Sequence, residues 1–195
     1  MFEKITSFVR RKILRDPQAR WNHQYAKGQW DGLRDAREFE RQRACRNLFL
    51  KYKKGGSLVE FGCGEGILIE HIFQNADYNR YLGLDISDLA IQKAQGLANE
   101  KTGFFIANMD TDVISEKFDV IFFNESINYS VNIPRLLENC LKNTLGTEGY
   151  FLISVHQFKH ADNIWQQILT RLKVVEEIEV QNGRSLWKIK VLQPI

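Results

Sequence analysis

The chain has 195 residues, 44% hydrophobic and 26% charged, which suits one globular domain with a substantial core. No run approaches the roughly 18 apolar residues of a membrane span, and the charged N-terminus has no apolar stretch of the kind a secretory signal needs. The net charge of +3 conceals an asymmetry, because residues 1–54 carry 15 Lys and Arg against 6 Asp and Glu, whereas the remainder carries 12 against 18. Such an imbalance marks either an anionic partner or a solvated basic surface. The three cysteines, Cys45, Cys63 and Cys140, match neither a disulfide framework nor a zinc site, so a reducing cytoplasm is expected.

In chain order, Met1–Leu14 reads as a basic amphipathic helix with Ile5, Phe8, Val9 and Ile13 on one face, and Asp16-Pro17 breaks it. A second helical stretch covers residues 19–27, and Gly28 to Gly32 reads as a loop. Residues 38–52 form a third helix, with Phe39, Ala44, Leu48 and Phe49 suggesting its buried side. Lys53-Lys54-Gly55-Gly56 ends it. From Ser57 the pattern alternates between strands, at 57–61, 80–85, 103–107, 118–124 and 149–155, and helices, at 65–75, 88–100, 133–145 and 161–172. That alternation predicts a doubly wound α/β fold whose parallel sheet is covered on both faces. Val120-Ile121-Phe122-Phe123 has the unbroken apolar character such a sheet requires. Val174–Val180 and Ser185–Leu192 flank Asn182-Gly183, a hairpin signal, so the sheet should end in an antiparallel pair. Residues 1–54 are expected to form a helical lid and residues 55–195 the core of one compact domain.

Leu58 to Gly66 carries the most information. An apolar strand runs into alternating glycines, Gly62, Gly64 and Gly66, and a helix follows. Glycines permit a tight turn and close approach of a ligand to the backbone. In an open α/β sheet this turn lies at the carboxyl end of the strand, where ligands bind. Asp85 ends the second strand, 19 residues after Gly66. A carboxylate there can accept hydrogen bonds from both hydroxyls of a ribose. A dinucleotide fingerprint needs glycine at the first, third and sixth positions. Counted from Gly62 the sixth is Ile67, so a nicotinamide dehydrogenase is disfavoured.

The Glu-x-Gly-x-Gly-x-Gly spacing of Glu60, Gly62, Gly64 and Gly66 resembles instead the first motif of class I S-adenosylmethionine-dependent methyltransferases, and Asp85 resembles their ribose-binding acid. The resemblance covers residues 57–192 and implies a Rossmann-like, seven-stranded sheet, mostly parallel with an antiparallel C-terminal hairpin, that binds S-adenosylmethionine. It also implies that Cys63 and Ile86 border the cofactor, with Ile86 on the adenine face. Asn108 takes the position of the polar residue that reads the adenine edge, with Met109 beside the ring. The family usually has Asp there, and Asp110 is the alternative. Asn124 would lie near the methionine part. Glu125, Ile127 and Tyr129 loosely resemble the Glu-x-Leu-x-Tyr segment of nodulation and sugar N-methyltransferases, which favours a small acceptor.

In methyl transfer the cofactor carries the difficult chemistry and the protein supplies alignment. A base helps where the acceptor is a hydroxyl or a protonated amine. Glu125 is the first candidate, followed by His156 and His160. A helix N-terminal carboxylate and surface histidines are the plainer readings of these residues. The four histidines are scattered, so no metal site is expected. By analogy with the family, Trp21, Tyr25 and Trp30 would belong to a lid over the cofactor and acceptor, with Tyr25 at the methionine end. Packing anchors are the simpler account of the tryptophans. The basic N-terminal third would suit an anionic acceptor such as a sugar phosphate. Nucleic acid is disfavoured for want of a recognisable module. An RNA- or protein-directed methyltransferase and a non-catalytic S-adenosylmethionine-binding protein remain the alternatives.

Overall fold

The computed structural model describes residues 16–195; the helix expected over Met1–Leu14 lies outside the described residues. Helix α1 (Pro17–Ala26) is opened by Asp16, whose carboxylate accepts from the Ala19 N–H, with Pro17 at its first position. A 3-10 turn over Asp31–Arg34 leads to α2 (Ala36–Tyr52). The alternating part then runs β1 (Ser57–Phe61), α3 (Ile67–His71), β2 (Arg80–Asp85), α4 (Asp88–Ala94), β3 (Thr102–Ile106) and β4 (Phe118–Asn124). It continues with α5 (Ile133–Asn139), β5 (Leu145–His156), α6 (Ala161–Ile168), β6 (Leu172–Asn182) and β7 (Ser185–Pro194).

The strands form one sheet in the order β3-β2-β1-β4-β5-β7-β6. The first five are parallel, and β7 runs antiparallel to both β5 and β6. Strand order reverses between β1 and β4, which opens a crevice beyond their carboxyl ends.

Residues along each strand alternate between the two faces, and both faces are apolar. Val59, Phe61, Ile121 and Phe123 pack beneath α5 and α6. Leu58, Tyr81, Val120 and Phe122 pack beneath α2, α3 and α4. Cys45, Leu48 and Phe49 of α2 share that second core, so α2 is part of the sheet's cover. The buried stripe of α2 also contains Arg41 and Gln42, whereas Phe39 and Ala44 are only partly buried.

Several boundaries differ from the sequence reading. The helix expected over 65–75 spans only Ile67–His71, because Gly66 holds a positive φ of 80° at its start and the Asp77 carboxylate captures the Gln74 N–H at 2.7 Å. Helix α4 tightens into a 3-10 turn at Gln95–Leu97, and α5 gives way to a π-turn at Cys140–Thr144. Strand β5 starts at Leu145, before the expected 149, and its register shifts where Phe118 pairs Leu145 and Val120 pairs Tyr150.

Candidate functional site

At the end of β1 the backbone turns sharply, and the Gly62 and Cys63 N–H groups both donate to the Leu84 carbonyl, at 2.7 and 3.0 Å. Gly62 and Gly64 have φ values of 77° and 57°, a region that disfavours side chains. The turn is also crowded. A Cβ on Gly62 would lie 2.5 Å from the Ser126 Cβ, and one on Gly64 would lie 2.8 Å from the Tyr25 hydroxyl. The turn reaches β2 through a second contact, in which the Gly64 N–H donates to the Asp85 carboxylate at 2.9 Å. Asp85 also accepts from the Ser87 N–H at 2.8 Å and, at a long 3.5 Å, from the Tyr25 hydroxyl. Burial raises the Asp85 carboxyl against the pull of those donors.

These groups border a cavity of about 740 Å³, within the size range of small-ligand sites. It gathers Glu60, Gly62, Cys63, Gly64, Asp85 and Ile86 from the first two strands and the turns that follow them. Asn108 and Met109 join from the loop after β3, and Asn124, Glu125, Tyr129 and His156 from the ends of β4 and β5. Trp21, Tyr25 and Trp30 close it from the N-terminal segment.

Gly66 is the exception among the expected cofactor residues, because it does not line the cavity. A Cβ there would meet Leu97 at 2.9 Å and Phe104 at 3.2 Å, so this glycine serves packing behind the turn. His160 is likewise outside the cavity, exposed at the start of α6. Tyr25, expected at the methionine end, instead brings its hydroxyl to Asp85. Asn108 is engaged in a local turn, accepting from the Asp110 N–H at 3.0 Å. Asp110 lines the cavity and is held by the Ser130 hydroxyl at 2.6 Å.

The opposite wall is polar and buried. Glu125 has a φ of 59°, a costly conformation for a side-chain-bearing residue and one found often at functional sites. Its carboxylate accepts from the His156 N–H at 2.9 Å and the Ser154 hydroxyl at 3.1 Å. Burial raises its pKa above the ordinary carboxylate range. Glu60 is 1% exposed, and burial pushes its carboxyl up to about 7 although Tyr81 and Asn124 donate to it.

Arg41, 1% exposed, lies at the centre of this wall. Its guanidinium donates to Glu38 at 3.0 and 3.2 Å, to the Asn124 carbonyl and, at 3.3 Å, to the Ser154 hydroxyl, and it lies 5.7 Å from the centroid of Trp187. No signal in the sequence marks Arg41, since an arginine in a helix rich in charge reads as solvated. Gln42, Ser126 and Trp187 also line the cavity and were not anticipated. The aromatic roof is continuous, with Trp21 4.8 Å from Tyr129 and 5.6 Å from Trp30 between ring centroids.

A doubly wound sheet with a glycine turn and a buried acid at its crevice is a nucleoside-binding arrangement of α/β proteins. A family model described as a methyltransferase domain matches residues 33–188, and the chain belongs to that family. A search among curated proteins gives no match. Among solved structures, the chain is similar to the N-methyltransferase NodS from Bradyrhizobium japonicum in complex with S-adenosyl-L-homocysteine. The identity is 18%, the coverage 83% of this chain and 90% of that one, and the TM-score 0.70. A TehB-like S-adenosylmethionine-dependent methyltransferase from Corynebacterium glutamicum has 18% identity, covers 89% and 98% of the two chains, and gives a TM-score of 0.63. The [4+2]-cyclase SpnF, at 11% identity, covers 78% and 81% with a TM-score of 0.60. At these identities the likeness is one of fold. Among the described residues no helix is long and apolar enough to cross a membrane.

Proposed function

We propose that this chain is an S-adenosylmethionine-dependent methyltransferase that transfers a methyl group to the nitrogen or oxygen of a small-molecule acceptor in the cytoplasm. The observation that carries the reading is the 2.9 Å contact between the Gly64 N–H and the Asp85 carboxylate on the wall of one ligand-sized cavity. A glycine turn and a distant acid there converge on a space able to hold one nucleoside.

The residues fit that cofactor. A carboxylate offers about four acceptor positions, and Asp85 uses two for backbone N–H groups. The long bond from Tyr25 is readily exchanged for a ribose hydroxyl. Ile86 and Met109 supply apolar surface for an adenine ring, with Asn108 or Asp110 at its edge. Glu60 and Asn124, with the Gly62–Gly64 backbone, would border the methionine portion. Residues 16–34 act as the lid, and α2 joins that lid to the sheet.

When bound, the cofactor supplies a methyl group already activated on a sulfonium. The protein contributes alignment of the acceptor, exclusion of water beneath Trp21, Trp30 and Tyr129, and a proton acceptor. Glu125 has the better geometry for that last role. It is fixed by two donors, while His156 lends it a backbone N–H and packs its ring on Trp187 at 5.5 Å.

Calorimetry with S-adenosylhomocysteine tests the reading. Native protein should bind it, NAD should not bind, and Asp85→Ala should lose about 1.5–3 kcal/mol for each ribose hydrogen bond removed. Unchanged affinity in a folded Asp85→Ala variant removes the assigned role. Radiolabelled methyl appearing in extracted RNA or protein rather than in small metabolites would move the acceptor to the macromolecular class. Binding without turnover on any acceptor would leave a non-catalytic S-adenosylmethionine-binding protein.

A further inference from the structure

We infer that the acceptor is an amine, entering as its ammonium ion and seated between Glu125 and the Trp21–Trp30–Tyr129 cluster. This rests on the methyltransferase reading and narrows the acceptor from nitrogen or oxygen to nitrogen.

The first argument is charge. Seven acidic side chains line the cavity against two guanidinium groups; Glu38 is paired with Arg41, Glu65 with Arg34 and Lys93, and burial lifts the Glu60 carboxyl to about 7, so Asp85, Asp110 and Glu125 carry the negative character the ligand meets. The Arg41 guanidinium is not poised for an incoming anion. Arg41 is buried and already donates to Glu38, Asn124 and Ser154, and Arg20 lies 5.1 Å over the ring of Trp21. Glu125 differs from Glu38, since among the described residues no Lys, Arg or His forms an ion pair with it. Arg41 eases the Glu125 charge from a distance without contacting it, so a cation in the cavity would give Glu125 its direct partner.

The second argument is hydrogen-bonding capacity. Glu125 uses two of its roughly four acceptor positions. Gln42, 2% exposed and lining the same cavity, has a side-chain oxygen with no partner. These unused acceptors call for donors at this end of the ligand, while the unpartnered Trp30 indole N–H in the roof can meet an acceptor elsewhere on the same molecule. An ammonium has three N–H donors and no acceptor, whereas a hydroxyl has one donor and a carboxylate none.

The third argument is the roof. Trp21, Trp30 and Tyr129 have ring centroids within 4.8–6.3 Å of one another. Aromatic faces attract a cation and hold it away from water; Trp21 already carries Arg20, which leaves Trp30 and Tyr129 for the ligand.

The step balances within these groups. Glu125 takes one proton from the ammonium and frees the nitrogen lone pair. The carbon–nitrogen bond forms as the methyl–sulfur bond breaks, and that electron pair returns to sulfur. The product leaves as a methylated ammonium, and the Glu125 carboxyl passes its proton to water. Burial, which raises that carboxyl, helps it keep the proton between the two steps.

The test uses matched probes on one carbon skeleton: glucosamine, glucose and glucuronate, and then putrescine, butane-1,4-diol and succinate. Native protein, first shown by calorimetry to hold S-adenosylhomocysteine, is titrated with each while tryptophan fluorescence is followed. In at least one set the amine should bind about tenfold more tightly than both partners, a reasonable return for one cation site. Glu125→Gln should lower amine affinity by about tenfold more than it lowers S-adenosylhomocysteine affinity. With S-adenosylmethionine present, label should appear on the amine nitrogen. Amines that bind no better than the alcohols and carboxylates, or not at all, overturn the assignment. The native comparison decides even if the variant fails to fold. Failure to bind S-adenosylhomocysteine is a separate result, which removes the methyltransferase reading and this inference with it.

Discussion

Replacing Glu60 by glutamine should flatten the pH dependence of stability. Glu60 lies at the end of β1, 1% exposed, and burial lifts its carboxyl from 4.5 to about 7. Below about pH 4.5 the folded and unfolded chains both carry the proton, and Glu60 contributes no slope. Between 4.5 and 7 the unfolded chain releases the proton while the folded chain keeps it, so stability falls as pH rises. A gap of that size, at about 1.36 kcal/mol per pH unit, amounts to about 3 kcal/mol lost by pH 8. For a chain this long each kcal/mol moves the melting temperature by roughly 2–4 °C, so the effect is on the order of 10 °C. Glutamine accepts from Tyr81 as the carboxyl does but has no proton to lose. Thermal melts of both proteins from pH 5 to 9 would therefore show the variant gaining on the native protein as pH rises, with the difference levelling near pH 8. Parallel melting curves, or a native protein that gains on the variant, would refute the claim that this buried acid stays protonated.

The last two glycines of the turn should separate stability from binding. Gly66→Ala forces a side chain onto a φ of 80° and against Leu97 and Phe104, and should cost roughly 1–3 kcal/mol in urea unfolding while leaving S-adenosylhomocysteine affinity unchanged. Gly64→Ala instead pushes on the end of the Tyr25 side chain, so ligand affinity should fall more than stability. Arg41→Met leaves Glu38, Asn124 and Ser154 without their shared donor, and should cost about 3 kcal/mol in the same unfolding assay; a neutral result would mean that the cluster repacks around water. Glu125 acts as a base only when ionised. The acidic limb of kcat/KM should therefore rise through a value above the ordinary carboxylate range and disappear in Glu125→Gln.

The strands were legible because they state their environment twice, in apolar content and in length. Ser57–Phe61, Arg80–Asp85 and Phe118–Asn124 lie where the sequence placed them. Helix ends were harder, because what stops them is tertiary. Asp77 turns the chain after α3 by binding the Gln74 backbone and, at 2.6 and 2.8 Å, the Arg46 guanidinium from another helix. The meeting of Gly62, Gly64 and Asp85 at one cavity was readable, since glycines before a helix and an acid after a strand have few other uses, whereas Gly66 lies outside it. The opposite wall was only partly so. Glu125 and Tyr129 follow a strand end, but Arg41 and Gln42 lie within a polar helix whose burial depends on where it docks.

The charge asymmetry shows why position in the chain is a poor guide to position in space. Read linearly, the basic first third invites an anionic partner. Folded, four of the ten Lys and Arg described over residues 16–54 face acids of the remaining chain. Arg34 binds Glu65 and Glu70, Arg46 binds Asp77, Lys51 binds Glu176, and Lys54 binds Glu148. Exposed pairs of this kind contribute little stability, on the order of 0–1 kcal/mol each. Their effect is to fix how the N-terminal helices dock on the sheet, and so where Trp21, Tyr25 and Trp30 sit over the crevice. The bond from Arg34 to Glu65, at 2.6 Å, reaches the glycine turn itself. The cations are thereby drawn to the outer seam between the helices and the sheet, while the cavity keeps an excess of carboxylates. A segment rich in cations thus borders a cavity richer in acids, and local pairing, more than net charge, sets the sign of that cavity.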